Sequence, residues 1–344
     1  MAAGGIAVVG VGMVSAVGLS APEVAASVRA GVMRFADTPL MDRHFRPFTL
    51  ALVPEEGLPP LHEELETARL TSREARMVRL AEPALAECLA ALPAGAAPPP
   101  LVLALPEPQT TRPLDEPRIL DALAVQAGGF DRGRCEATFR GRSGGIRALS
   151  RAADWLATGA PYVIAGGVDT YRDLYVLGTL DLEERVKTVA TMDGFVPGEG
   201  AAFLLLARGG AAGAFATLSG FGAGMETGHL YSELPYRGDG LAGALAASLA
   251  NGTGPIGEVF SSMNGEHHWA REWGVAYLRS RPRFVEGHGM HHPGDCHGDT
   301  GAAAGPIMAG LAALGIRDGY RRAPCLVYGS SDRGERAALV VSAA

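Results

Sequence analysis

Residues 138–170, TFRGRSGGIRALSRAADWLATGAPYVIAGGVDT, constrain the fold of this chain more than any other stretch. The glycines at 141, 144 and 145 make a tight turn that opens into a helical run. Ile146, Leu149, Ala153 and Leu156 share one face of that run, and Arg147, Arg151 and Asp154 take the other. Gly159 stops the helix, and Tyr162-Val163-Ile164-Ala165 reads as a short buried strand. A turn feeding a helix gathers backbone N–H donors and the positive dipole end around its first side chains, here Arg142 and Ser143. Ser143 reads as an N-cap for the helix. As the sole hydroxyl at the turn it is also a candidate nucleophile.

At 344 residues the chain exceeds one small core and suits two similar halves, 1–212 and 213–344, or one large α/β unit. A net charge of −7 with no basic stripe argues against nucleic acid as a partner. No uninterrupted apolar run of about twenty residues predicts a membrane span. The apolar start, MAAGGIAVVGVGMVSAVG, lacks a basic leader and reads as a buried first strand. Ser15 stands where a dinucleotide-binding fingerprint needs its third glycine, so that reading is set aside. Cys88, Cys135, Cys296 and Cys325 show no paired spacing, as expected of reduced thiols in a cytoplasmic protein.

Helices are expected over 72–92, capped by Ser72, over 118–127 and over 240–250. Strands are expected at 101–105, 135–139, 203–206, 215–223, 259–263 and 337–341. Residues 37–70 read as Pro-rich and irregular, and 106–117 as a solvent-facing loop.

Four motifs carry a family resemblance. The first runs from Val8 through Gly10 and Gly12 to Ser15 and Gly18. The second takes in Gly145, Ala148 and Leu149, followed by Ala165-Gly166-Gly167. The third is Asp193-Gly194-Phe195-Val196-Pro197-Gly198-Glu199-Gly200-Ala201, and the fourth is Gly298 to Gly305. Together they resemble the β-ketoacyl synthase (ketosynthase) branch of the thiolase-like superfamily, over residues 6–341. The resemblance implies a thiolase-like α/β fold, two related βαβαβαββ halves in five layers (α/β/α/β/α). It also implies a dimer formed through the strand around Cys135–Phe139 and no cofactor. Glu199 is then a scaffold residue tied to backbone.

The same alignment places substitutions at each position that does chemistry in the family. Arg142 takes the place of the cysteine, Asn264 and Asp299 those of the two histidines, Gly294 that of the lysine, and Asp332 that of the gating phenylalanine. Acyl transfer on this scaffold needs a thiolate, and a guanidinium offers only donors and a fixed charge. A carboxylate at 299 repels the negative charge that develops on a thioester oxygen. Arg142 is therefore expected to lie near Asp299, and Asp332 is a further candidate partner.

The resemblance implies a catalytically inactive binding or accessory partner, of the kind seen in chain length factors or in thiolase-like proteins of type VI secretion. It would act as a homodimer or as a heterodimer with a related ketosynthase. The alternative is an acyltransferase or hydrolase using a displaced nucleophile, either Ser143 or Cys296 with His297, His267 or His268. His288, His291, His292 and His297 raise a metal reading, but no tight ligand spacing supports it, and the expectation is no metal. Trp155, Trp269 and Trp273 are read as packing residues.

Overall fold

The computed structural model describes residues 5–108, 113–250 and 254–344. The first run of elements is β1 (Ile6–Ser15), α1 (Ala21–Arg29), β2 (Ala36–Met41), β3 (Pro47–Leu50), α2 (Ser72–Leu89), β4 (Leu101–Leu105), α3 (Glu116–Gln126), β5 (Cys135–Phe139), α4 (Gly141–Ala157), β6 (Tyr162–Thr170), α5 (Leu174–Leu182) and β7 (Glu199–Arg208). The second is β8 (Ala216–Met225), α6 (Asp239–Ser248), β9 (Ile256–Ser261), α7 (His267–Ser280), β10 (Phe284–His291), α8 (Gly294–His297), α9 (Ala304–Arg317), β11 (Cys325–Ser330) and β12 (Glu335–Ser342).

Ten strands form one sheet in the order β10-β9-β11-β12-β8-β1-β7-β6-β4-β5. Within each run the five sheet strands are arranged first, fifth, fourth, second, third. The three outermost are parallel and the fifth is antiparallel to both its neighbours. The runs join where Ile6–Val8 pair with Ala216–Leu218.

The layers follow from strand alternation. Leu101, Leu103 and Leu105 of β4 face α2 and α3, whereas Val102 and Ala104 face the central helices. In the second run Leu326 and Tyr328 of β11 face α6 and α7, and Val327 turns inward. The middle layer is α4 and α9. Helix α9 is buried from Ala304 to Gly315, as its nearly all-apolar sequence requires. This is the thiolase-like α/β/α/β/α arrangement.

The two central helices touch at glycine. A Cβ placed on Gly145 would lie 2.1 Å from Cδ of Pro306. Gly145→Ala is expected to force α4 and α9 apart and destabilise the fold by about 1–3 kcal/mol. Urea unfolding measures this, and an unchanged midpoint would refute the close packing.

Several expectations need correction. Thr71, not Ser72, caps α2: its hydroxyl accepts from Glu74 N–H while the Glu74 carboxylate accepts from Thr71 N–H. Residues 37–70 are more regular than their prolines suggest. They hold the β2–β3 hairpin, which packs Phe48 and Leu50 against α5, and two 3-10 turns at Glu55–Gly57 and Glu63–Leu65. Ser143 does not cap α4, which already starts at Gly141, and its hydroxyl donates back to the Arg140 carbonyl at 3.2 Å. The expected loop 106–117 lies partly outside the described residues, and the helix expected over 240–250 runs from Asp239 to Ser248. The histidine-rich segment is strand β10 and the single-turn α8.

Candidate functional site

Three segments converge at the head of α4. Gly141, at φ +55°, turns the chain into the helix and places Arg142 in its first turn. The end of β11 passes so closely that a Cβ on Gly329 would sit 2.7 Å from the Arg142 carbonyl oxygen. The third segment carries Asp299, whose backbone pairs with the strand-like stretch before β7: its N–H donates to Val196 and its carbonyl accepts from Gly198 N–H, both at 2.9 Å.

Arg142, Asp299 and Asp332 are all buried and in contact. Arg142 Nε donates to Asp299 Oδ2 at 2.7 Å, and Nη2 approaches the same oxygen at 2.6 Å without an aligned N–H. Its Nη1 donates to Asp332 Oδ1 at 2.6 Å. Asn264 Nδ2 also donates to Asp299 Oδ2, at 2.8 Å, and Gly301 N–H donates to Oδ1 at 2.8 Å. Every residue that the resemblance placed at the nucleophile, at the two histidines and at the gate therefore belongs to one hydrogen-bonded set.

Two members of that set were not anticipated. Arg185 follows α5; its Nη1 donates to Asp332 Oδ2 at 2.8 Å, and Nε and Nη2 take both oxygens of Glu266 at 2.7 and 2.9 Å. Glu266, just before α7, also accepts from Trp269 Nε1 at 2.9 Å. Trp269 thus anchors the network as well as packing in it. Its ring and that of Phe195 lie 5.2 and 5.8 Å from the Arg142 guanidinium carbon.

The core of the cluster holds two guanidiniums against three carboxylates. Burial disfavours the charge on Arg142, but Asp299 and Asp332 outweigh it and keep the guanidinium protonated. Burial pushes Asp332 up, while Arg142 and Arg185 more than compensate and hold it well below the usual carboxylate range. The space left beside these groups is small. One cavity, lined by Asn264, Gly294, His297, Asp299 and Thr300 among others, is about 20 Å³, and another beside Glu107, Arg142, Asp169 and Asp332 is the same size. Each is room for about one water molecule. A larger open groove of about 580 Å³ lies outside, with Arg185, Glu266 and His268 in its wall.

Glu107 borders the cluster from the end of β4. Its Oε2 accepts from Asp332 N–H at 2.9 Å and its Oε1 from Arg333 N–H at 3.3 Å. Burial and the Asp332 charge push its carboxyl up to about 7 from an ordinary value near 4.5. Such a group holds its proton more tightly when folded, so its contribution is full below about 4.5 and is lost as the pH rises to about 7. His297 acts in the opposite sense. Burial lowers its imidazole from 6.5 to about 4, so its contribution is present above 6.5 and is lost as the pH falls through 4. Glu107→Gln removes the first slope alone. The variant is expected to gain thermal stability relative to the wild type as pH rises from about 4.5 to 7. A Tm difference that stays constant over that interval would overturn the assignment.

The other candidates lie apart from this set or lack a catalytic partner. Ser143 is fully buried; its N–H donates to Ser331 Oγ at 2.9 Å, and no histidine is among its hydrogen-bond partners. Cys296 is buried, and burial raises its thiol. His267 is exposed beside Asp193, and His268 stacks edge-on against Trp269 and Tyr236. The structure separates the four histidines of the metal reading. His288 Nδ1 faces the Val285 carbonyl, His291 Glu258, His292 Ser261 and His297 the Gly298 carbonyl. Among the described residues no group of three histidine, cysteine, aspartate or glutamate side chains is placed to hold a metal ion. Glu199 is a scaffold residue held by Val53 N–H at 2.8 Å, Thr170 Oγ1 at 2.7 Å and Arg76. Trp273 packs, stacking on Tyr328 with ring centres 5.0 Å apart.

The fold is the thiolase-like one of solved ketosynthases. No family model matches the sequence. A curated relative, the actinorhodin polyketide beta-ketoacyl synthase 2 of Streptomyces coelicolor, is 28% identical over 206 residues, which take in 55% of this chain and 50% of that one. The chain thus matches about half the length of that relative. Among solved structures, the ketosynthase ApeO in complex with its chain length factor ApeC from Xenorhabdus doucetiae superposes with a TM-score of 0.73 at 18% identity, over 99% of this chain and 98% of that one. The oxazolomycin ketosynthase domain of Streptomyces albus gives 0.76 at 14%, over 99% and 74%. Among the described residues no helix is long and apolar enough to cross a membrane.

Proposed function

We propose that this chain is a non-condensing, ketosynthase-like subunit that pairs with a related ketosynthase, as a chain length factor does. The observation that carries the reading is the guanidinium of Arg142, bound to both Asp299 and Asp332 at the head of α4. No thiol stands there, the donors of Arg142 and Asn264 are already spent on carboxylates, and Asp299 and Asp332 oppose a developing negative charge.

The sheet offers a surface for pairing. Its two end strands are β5 and β10. The register of β10 with β9 breaks between Phe284 and Gly289, and Gly287 has φ +69°, so that edge is blunted. Strand β5 pairs with β4 without a shift over all five residues and leaves a regular free edge. That edge is the one assigned to the partner.

Intact-mass analysis tests the reading. Incubation with acyl-CoA or malonyl carrier protein, followed by intact-mass analysis, is expected to give no covalent adduct and no decarboxylation. A stable acyl adduct lost on mutation of Ser143 or Cys296 would replace this reading with the displaced-nucleophile enzyme.

A further inference from the structure

Two buried polar atoms meet at the cavity of about 20 Å³ beside Asp299. Its wall includes Ser262, Gly294, His297 and Thr300, and Gly294 brings no side chain to fill the space. His297 and Thr300 are only 2% and 1% exposed. Among the described residues neither His297 Nε2 nor Thr300 Oγ1 has a hydrogen-bond partner in the protein. Buried polar atoms in native structures are nearly always paired, so both point to a ligand.

The chemistry of that ligand follows from the tautomer of His297. Its Nδ1 lies 2.9 Å from the Gly298 carbonyl oxygen, which can only accept, so Nδ1 carries the proton. Burial lowers the imidazole to about 4, and at neutral pH Nε2 therefore presents a lone pair. Whatever meets it must donate. The Thr300 hydroxyl can give or accept a proton. Ser262 Oγ accepts from Ser330 N–H at 3.0 Å and keeps its own proton to give.

We infer that His297 and Thr300 hold one resident water molecule in this cavity, which donates to His297 Nε2 and accepts from the Thr300 hydroxyl. The cavity has the size that a single water needs and the two to four polar partners that retain it. An anion would face the Nε2 lone pair and the Asp299 carboxylate. A metal ion would find no set of three ligating side chains.

The assignment also fixes what His297 can do. A neutral imidazole with a water at Nε2 has the parts of a general base, but the space ends at that water and has no room for a thioester. Cys296 is not in the cavity wall. His297 is thus a water ligand and not the base of a displaced nucleophile. The inference does not depend on the non-condensing reading.

Crystallography of the full chain, with anomalous data, tests it. One peak of water strength is expected about 2.7–3.2 Å from both His297 Nε2 and Thr300 Oγ1. Thr300→Val keeps the shape of the side chain and removes its hydroxyl. The peak is expected to weaken or vanish in that variant. Its folding equilibrium constant should fall about threefold or more, because an unpartnered hydroxyl could be replaced at no cost but a bonded one cannot. If the variant does not fold, the wild-type map decides alone. A map without a peak there overturns the inference, as does a peak that anomalous scattering assigns to a metal or halide. A folded Thr300→Val with unchanged stability overturns it as well.

Discussion

Arg142→Met is expected to lower unfolding stability by about 3–5 kcal/mol, because it removes the cation that faces Asp299 and one of the two that face Asp332. Asp299 would keep the Asn264 amide and the Gly301 N–H but lose its only cation among the described contacts. For a domain of ordinary stability, about 5–15 kcal/mol in total, that is about a fifth or more. The cost belongs to breaking the pair, so neutralising the partner should return much of it. Arg142→Met with Asp299→Asn is expected to be more stable than Arg142→Met alone. Chemical denaturation of the four proteins in the cycle measures the coupling. A single substitution costing less than about 1 kcal/mol would show that the cluster is solvated and not a plug.

The second large effect is at Arg185. Its guanidinium binds both oxygens of Glu266 and both of Asp332, and also the hydroxyl of Tyr231 at 2.9 Å. Arg185→Met is expected to cost a similar amount, about 3–5 kcal/mol, through uncompensated charge on Glu266 and Asp332. The two arginine substitutions should not add. They share Asp332, so once one is removed, the loss of the other changes an already altered carboxylate. The expected interaction energy exceeds 0.5 kcal/mol. Strict additivity would mean that the two arginines act as independent pairs.

The sequence carried the scaffold in local form. The glycine turn before α4, the amphipathic spacing along it and the short apolar run of β4 are each a local pattern of a few residues. The Thr71-x-x-Glu74 capping box is just as local, and its reciprocal bonds, which Ser72 does not share, mark the helix start. The hairpin of β2 and β3 was hidden because its prolines mask the strand pattern, and only packing on α5 brings it out.

Arg142, Asn264, Asp299 and Asp332 could be named because each occupies an aligned motif position. Arg185, Glu266 and Glu107 could not, since nothing in their own segments distinguishes them from surface charges. Arg185 is 81 residues from Glu266 and 147 from Asp332, and Glu107 is 225 residues from the N–H it accepts. Their roles exist only after folding has removed water from between them.

By itself the amino-acid sequence determined the buried first strand, the glycine turn into α4 with the strand that follows it, and the presence of an arginine where the resemblance puts a thiol. Tertiary structure alone decided that this arginine is held between two aspartates, that a second arginine completes the set, and that β5 is the regular open edge. The reason is range. Backbone preference and apolar periodicity act over a few residues, whereas the energy of a buried charge depends on every group the fold brings within a few ångströms of it.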